Sequence, residues 1–175
     1  MSDKPLIQQQ LANDLAALIL DVPEDNVLPF ISIFWQVHCE EWHGLDRFRL
    51  DKYLLLFRRI VFYSFCWLAQ NDWDQVKVEA YTRLLLEGPL HPTDRKKPDA
   101  IVYHILEIYF EELEKVVEIQ QQQQQDDFTV PIDLLKQPII VLSTDALNKT
   151  TRIKAKQILL EYDTKQNNDM EDDSD

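Results

Sequence analysis

Apolar residues return every three or four positions along most of this chain, the period of an α-helix with one buried face. Leu11, Leu15, Leu18 and Ile19 mark a first helix over residues 5–20, with Asp3 placed to cap it and Pro5 in its first turn. A turn at 21–26 separates it from a second helix over 27–42. There Phe30, Phe34, Val37 and Glu41 share one face, and Ile31, Trp35, His38 and Trp42 an adjacent one. Gly44 then breaks or bends the chain. A third helix over 46–70 carries a stripe of Leu50, Tyr53, Leu54, Phe57, Ile60, Val61, Ser64, Trp67 and Leu68. Leu55, Leu56, Phe62 and Tyr63 fall off that stripe. A helix apolar nearly all round is covered on more than one side, so this one is the centre of a stacked layer or meets a partner.

A fourth helix over 73–87 follows Asn71-Asp72, a cap signal, and runs into a breaker-rich loop at 88–98. The fifth, from Asp99 to about Gln120, sets Ile101, Ile105, Tyr109, Leu113 and Val116 on one face. Gln120 to Gln125 and then Asp126-Asp127 read either as a helix extension or as a linker. Two weaker helices follow, over 132–142 and 145–162, the latter behind a Ser143-Thr144-Asp145 cap. From Asp163 the chain is polar and acidic and cannot bury enough surface to fold alone, which predicts a disordered tail. About seven helices with short joints predict an all-α fold, a HEAT-like or armadillo-like stack with degenerate repeats. An ordinary helical bundle is the alternative.

Composition narrows the function classes. At 175 residues the chain can bury one domain's core, and two glycines are too few for a hairpin-rich β protein or a phosphate loop. No apolar run is long enough to span a bilayer. Against 31 acidic residues stand 18 basic ones, a net charge of -13, which disfavours a free-standing nucleic-acid binder without excluding a local basic patch. Cys39 and Cys66 make neither a disulfide framework nor a four-ligand zinc site. The start of the chain lacks the apolar core of a signal peptide, so a reducing compartment, cytosol or nucleus, is expected. Without a secretory route, Asn148-Lys149-Thr150 matches a glycosylation sequon by chance.

Chemistry-bearing residues do not assemble into a catalytic pattern. His38, Cys39, Glu40, Glu41 and His43 lie close in sequence, but His38 and His43 are five apart and a continuous helix points them away from each other. Cys66 sits in an aromatic helix as a small apolar filler, and Cys39 does not face the adjacent His38. His104, between Tyr103 and Ile105, reads as a structural histidine. No metal, cofactor, small-molecule substrate or enzymatic activity is expected.

The sharpest electrostatic contrast falls at 45–60, where Arg47, Arg49, Lys52, Arg58 and Arg59 face only Asp46 and Asp51, a local +3 in a chain of -13. Two readings compete. Arg47 with Asp51 at i,i+4, and Asp51 with Arg58 on the same side, can be ion pairs that hold adjacent helices. Alternatively the cluster contacts phosphates or an acidic partner, for which Lys52 and Arg59, two turns apart and opposite the apolar stripe, are the better candidates.

The same stretch carries a resemblance. Phe34-Trp35, Glu41-Trp42, Asp46-Arg47, Arg49-Leu50-Asp51-Lys52 and Arg58 together resemble the signature of the nucleolar ribosomal-RNA-processing protein 1 family. Ser2-Asp3-Lys4-Pro5 before a Gln/Leu helix, and the segment His104 to Lys115, agree in order. The likeness covers residues 2–118 well and 128–162 loosely. It implies an all-α, HEAT-like protein of the nucleus and nucleolus. Its implied role is a non-catalytic assembly factor of the large ribosomal subunit, acting in processing of the internal spacers of the precursor RNA. The implied partner is the pre-ribosomal particle, meaning its RNA and other assembly factors, with no membrane.

The expected layout is a family helical domain at 1–118, a Gln-rich linker or helix extension at 119–127, further helices of the same stack at 128–162, and the acidic tail at 163–175. Arg47, Arg49, Lys52, Arg58 and Arg59 are the expected RNA or partner contacts, and Trp35, Trp42, Asp46 and Asp51 the anchors of the signature. A generic helical-repeat adaptor that binds proteins without touching RNA is the rival reading. In the family the Ser-Asp-Lys-Pro-like segment lies inside the domain. An N-terminally truncated chain is therefore expected, less stable than the full domain, with the apolar face of its first helix exposed. A short acidic tail stands where some members carry a long basic extension.

Overall fold

The computed structural model describes residues 5–123 and 127–174, and every regular element among them is helical. The helices are α1 (Pro5–Ala17), α2 (Val27–Glu41), α3 (Leu50–Gln70), α4 (Gln75–Glu87), α5 (Asp99–Gln123), α6 (Ile132–Asp145) and α7 (Lys149–Asp172). The cap expected of Asp3, the matched residues Ser2 to Lys4, and Gln124, Gln125 and Asp126 of the polar run lie outside the described residues, as does Asp175.

Packing alternates along the chain. Helix α1 lies against α3, α3 against α5 and α5 against α7, while α2 lies against α4 and α4 against α6. The result is a two-layer all-α stack of helix pairs, the packing logic of a solenoid. The core explains the order. Phe57, Ile60, Val61, Phe65 and Leu68 of α3 and Ile101, Ile105, Ile108, Tyr109 and Leu113 of α5 are buried, with α2 and α4 adding Ile31, Trp35, Val78, Tyr81 and Leu85. Phe65 meets Tyr109 edge-on at 5.2 Å, and the Tyr109 hydroxyl donates to the Leu135 carbonyl of α6.

Alternation sorts the connections onto two edges. The α1–α2 connection meets the end of α3 and the start of α4, where Trp67 Nε1 donates to Glu24 Oε2 at 3.2 Å and Lys77 pairs with Glu24 at 2.6 Å. At the opposite edge the α4–α5 loop meets the α6–α7 turn. Leu147 N–H donates to the Pro92 carbonyl at 3.0 Å, and Asn148 Nδ2 donates to the Tyr103 hydroxyl at 3.1 Å. Lys97 of that loop lies near Cys39 and Glu40 in the last turn of α2, which brings the α2–α3 connection to the same edge.

Several local expectations change. Helix α4 is capped by Asp74, whose Oδ2 accepts Lys77 N–H at 3.1 Å, instead of by Asn71-Asp72. Asn71 caps the end of α3, donating from Nδ2 to the Trp67 carbonyl at 2.8 Å. Asp72 and Trp73 both take φ of 54°, unfavourable for residues with a Cβ. Burial of the Trp73 ring, with its Nε1 donating to Gln120 Oε1 at 2.9 Å, offsets that strain. Asn148 caps α7, accepting from Thr150 N–H at 2.8 Å, whereas Ser143, Thr144 and Asp145 close α6. The sequon asparagine is thus committed to backbone hydrogen bonds.

In α1 and the 3-10 turn that follows it at Leu18–Leu20, Ala12, Ala16 and Ile19 face inward and Asn13 accepts from Tyr63 of α3, while Leu11, Leu15 and Leu18 are exposed. The leucine spacing marks the helix but not its buried side. Ile33 and Val37 of α2 are exposed too, and the buried face of α2 is Val27, Ile31, Trp35 and Cys39. The disordered tail expected after 162 is not seen at 163–172, which continue α7. Thr151, Ala155 and Tyr162 dock the first part of that helix, and Lys165 ties the next turn to Glu114 of α5 at 2.6 Å. Once a helix is nucleated and docked, each added residue costs little.

Candidate nucleic-acid interface

The signature segment is built around one aromatic cluster. Trp35 is 1% exposed, and its ring lies 5.2 Å from both Phe34 and Phe57. Trp42 is half-buried against Phe57 at 5.9 Å. His38 packs on the same phenyl ring and hydrogen-bonds the Phe34 carbonyl through Nδ1 at 2.7 Å. Its burial pushes its pKa below the ordinary imidazole value. This cluster pins the end of α2 to the start of α3. The chain between them has little freedom and folds into two 3-10 turns, closed by Leu45 N–H on the Trp42 carbonyl and Arg49 N–H on the Asp46 carbonyl. Asp46 and Asp51 are exposed on either side of the second turn.

The five cations singled out in the sequence part three ways. Arg47 and Arg49 are exposed at the edge. Lys52 and Arg59, seven apart, are half-buried on the side of α3 away from its core residues, and Arg59 Nε is buried without a hydrogen-bond partner. Arg58 turns inward to α5, bonding Glu112 at 2.7 Å and Glu111 at 2.9 Å. The pairing anticipated between Arg58 and Asp51 gives way to this inter-helix bridge, because two carboxylates of α5 stand directly across from the guanidinium. Glu112 is fully buried and also holds Lys115 at 3.0 Å. Burial works against the Arg58 charge, but its hydrogen bonds to Glu112 and Glu111 outweigh it and leave its pKa raised.

The fold adds cations that sequence order keeps apart. Arg95 and Lys96 are exposed and Lys97 half-buried on the α4–α5 loop, while Lys149 and Lys154 are exposed on the first turns of α7. The supporting backbone is fixed by hydrogen bonds. His91 Nδ1 accepts from the N–H groups of Thr93 and Asp94 at 3.2 and 3.1 Å, and Arg152 donates to the Ala146 carbonyl at 2.6 Å. The run at 95–97 was visible as a charge triplet, but nothing local to it says that it shares an edge with Arg47.

The remaining titratable groups serve the fold. His104 Nε2 hydrogen-bonds the Leu54 carbonyl at 2.7 Å, and burial lowers its pKa. Burial pushes the Cys39 thiol up to about 11 and the Cys66 thiol to about 12, so neither is a ready nucleophile at neutral pH. Among the described residues no group of His, Cys, Asp and Glu is placed to hold a metal ion, and no helix is long and apolar enough to cross a membrane. What the edge offers is exposed guanidinium and ammonium groups, suited to phosphate or carboxylate oxygens.

Comparison with known proteins gives a consistent picture. A family model described as the nucleolar protein Nop52 matches residues 1–175. Ribosomal RNA processing protein 1 homolog B of Homo sapiens is 37% identical over 117 residues, covering 66% of this chain and 15% of that protein. Homolog A of the same organism is 36% identical over 118 residues, covering 66% and 25%. The Drosophila melanogaster homolog is 34% identical over 117 residues, covering 66% and 17%. The matched region thus spans a quarter or less of the length of these relatives.

Proposed function

Since the chain belongs to the Nop52 family of nucleolar proteins, we propose that it acts in ribosomal-RNA processing and ribosome biogenesis. The finer reading is a non-catalytic assembly factor of the large subunit, resident in the nucleolus, that joins pre-ribosomal particles during processing of the internal spacers. The observation that carries this is the family match over the whole chain. The signature segment 34–59 supports it, because its aromatic cluster holds a rigid edge with Arg47 and Arg49 exposed. A scaffold that binds by surface complementarity needs a rigid fold and presented charge, and both are here.

Gradient sedimentation of the protein, tagged at the C-terminus of its own locus, tests the reading. The tag is expected to co-migrate with large-subunit precursor RNA. A tag confined to light fractions would overturn it. The rival, a protein-only adaptor, draws on the net charge of -13. Reversing Lys52 and Arg59 is expected to weaken a salt-sensitive association with precursor RNA, and an unchanged association would favour the adaptor.

A further inference from the structure

We propose that the loop edge as a whole, and not the 46–52 segment alone, is a track for an RNA backbone, to which the α4–α5 loop and the start of α7 contribute. The proposal rests on the reading that this edge meets RNA, and extends it to residues far away in sequence.

Charge is the first support. Segment 46–52 holds three cations and two acids, segment 91–99 three and two, and segment 145–154 three and one, a net of +4. The rest of the chain then carries -17 of the total of -13. Counting Glu40, Glu41 and Glu87 of the adjoining last turns still leaves the edge at +1. The opposite edge is of contrary sign. Segments 18–26, 71–77 and 127–133 hold seven acids and only Lys77 as a cation, a net of -6. One fold edge therefore gathers positive charge in a strongly acidic protein, and the other repels polyanions.

Shape is the second. Helices of one layer sit about 8–10 Å apart, so three successive loops present cations along roughly 20 Å. A nucleic-acid duplex carries a charge about every 3.4 Å per strand, so such an edge spans several phosphates. Each segment contributes two exposed cations: Arg47 and Arg49, Arg95 and Lys96, and Lys149 and Lys154, the last two on different sides of α7. Lys154 is held with its Nζ 5.1 Å over the Tyr103 ring, and the loops beneath are fixed by the His91, Asn148 and Arg152 hydrogen bonds. A backbone fixed in advance loses little freedom on binding.

The third support separates RNA from an acidic protein. Protein interfaces are anchored by buried apolar or aromatic groups. Among the described residues of these three segments, Leu147 and Ile153 are the only large apolar side chains that are exposed, whereas α1 by itself exposes Leu6, Ile7, Leu11 and Leu15. Both lie in segment 145–154, and the other two segments offer charge without an exposed apolar anchor among their described residues, which fits a phosphate backbone better than a protein surface.

The test uses the purified 175-residue chain and fluorescence anisotropy with a labelled 30-nucleotide RNA hairpin, titrated at several salt concentrations. Arg95→Glu/Lys96→Glu is expected to weaken binding at least tenfold and to make the dependence of log K on log salt shallower by about 1–2, since each lost phosphate contact removes about 0.7–0.9. Lys77→Glu/Lys165→Glu, an equal change of charge away from the edge, is expected to weaken binding less than threefold. Arg95→Gln/Lys96→Gln repeats the test without added repulsion, and circular dichroism checks each fold. An edge variant no weaker than the control would overturn the proposal, as would no binding of the hairpin by the unaltered chain in 50 mM salt. Loss of binding to a poly-glutamate peptide with RNA affinity intact would overturn it in favour of an acidic protein. Loss with Arg47→Glu/Arg49→Glu but not with Arg95→Glu/Lys96→Glu would overturn the track and leave the 46–52 reading standing. The sedimentation experiment judges the assembly role separately.

Discussion

Replacing Arg58 by Met would strand a carboxylate inside the helical stack. Glu112 is fully buried, and its Oε1 holds Arg58 at 2.7 Å and Lys115 at 3.0 Å, while its Oε2 is buried without a partner. The Arg58 side chain is 27% exposed, so water screens this pair only in part. Removing one member of a buried ion pair typically costs 3–5 kcal/mol, because the desolvated charge left behind has lost its compensation. Lys115 remains, but its side chain is half-exposed and it reaches the same oxygen. The expected loss is therefore about 2–4 kcal/mol, a large fraction of a typical stability. For a chain of this size that corresponds to a fall in Tm of about 5–15 °C. Met keeps the length of the side chain and isolates the charge. The assay is urea unfolding followed by circular dichroism, run on R58M, E112M and the double variant. The double variant should recover at least about 1 kcal/mol relative to R58M, since it removes the orphaned carboxylate as well. An R58M protein within about 0.5 kcal/mol of the parent, or strictly additive variants, would refute the assignment of Arg58 to the α3–α5 bridge.

Three further outcomes follow from the same packing. His38 and His104 titrate below the ordinary value because they are buried, so the unfolded chain binds their protons first. Stability is then full above about pH 6.5, the unfolded value, and falls as the pH drops through the folded values. H104Q, which keeps a donor for the Leu54 carbonyl, should flatten the dependence of Tm on pH below 6.5, and an unchanged slope would refute this. Trp35→Ala should cost about 3–5 kcal/mol for a fully buried ring and Trp42→Ala clearly less, since Trp42 is only half-buried; equal losses in urea melts would contradict the cluster geometry. Iodoacetamide at pH 8 should alkylate Cys39 and Cys66 slowly in the native protein and quickly in urea, because burial raises both thiols, to about 11 and about 12. Fast native labelling, read by mass spectrometry, would show that the helices open more readily than this packing allows.

The edges give the stack a polarity. Positive charge gathers along one row of loops, negative charge along the other, and exposed leucines lie on α1. A stack with these edges presents chemically different faces around one core.

The sequence by itself determined the local facts. Helical periodicity located all seven helices, and the density of apolar groups on α3 marked it as covered on more than one side, as its contacts with α1 and α5 bear out. Spacing is a property of neighbours three and four positions apart, which is why it survives without tertiary information. The Phe34 to Arg59 stretch was legible for the same reason: its residues are contiguous. Only the tertiary structure decided the rest. It turned Leu11, Leu15 and Leu18 outward although they are more apolar than the alanines beside them, because α1 meets α3 closely through its small residues. It took Arg58 out of the exposed cluster by setting Glu111 and Glu112 across from it, more than fifty residues along the chain. It also gathered the loops at 46–52, 91–99 and 145–154 onto one edge, a consequence of helices alternating in direction between two layers. Periodicity says that a helix has a face, but which face is buried and which loops become neighbours depend on partners distant in sequence.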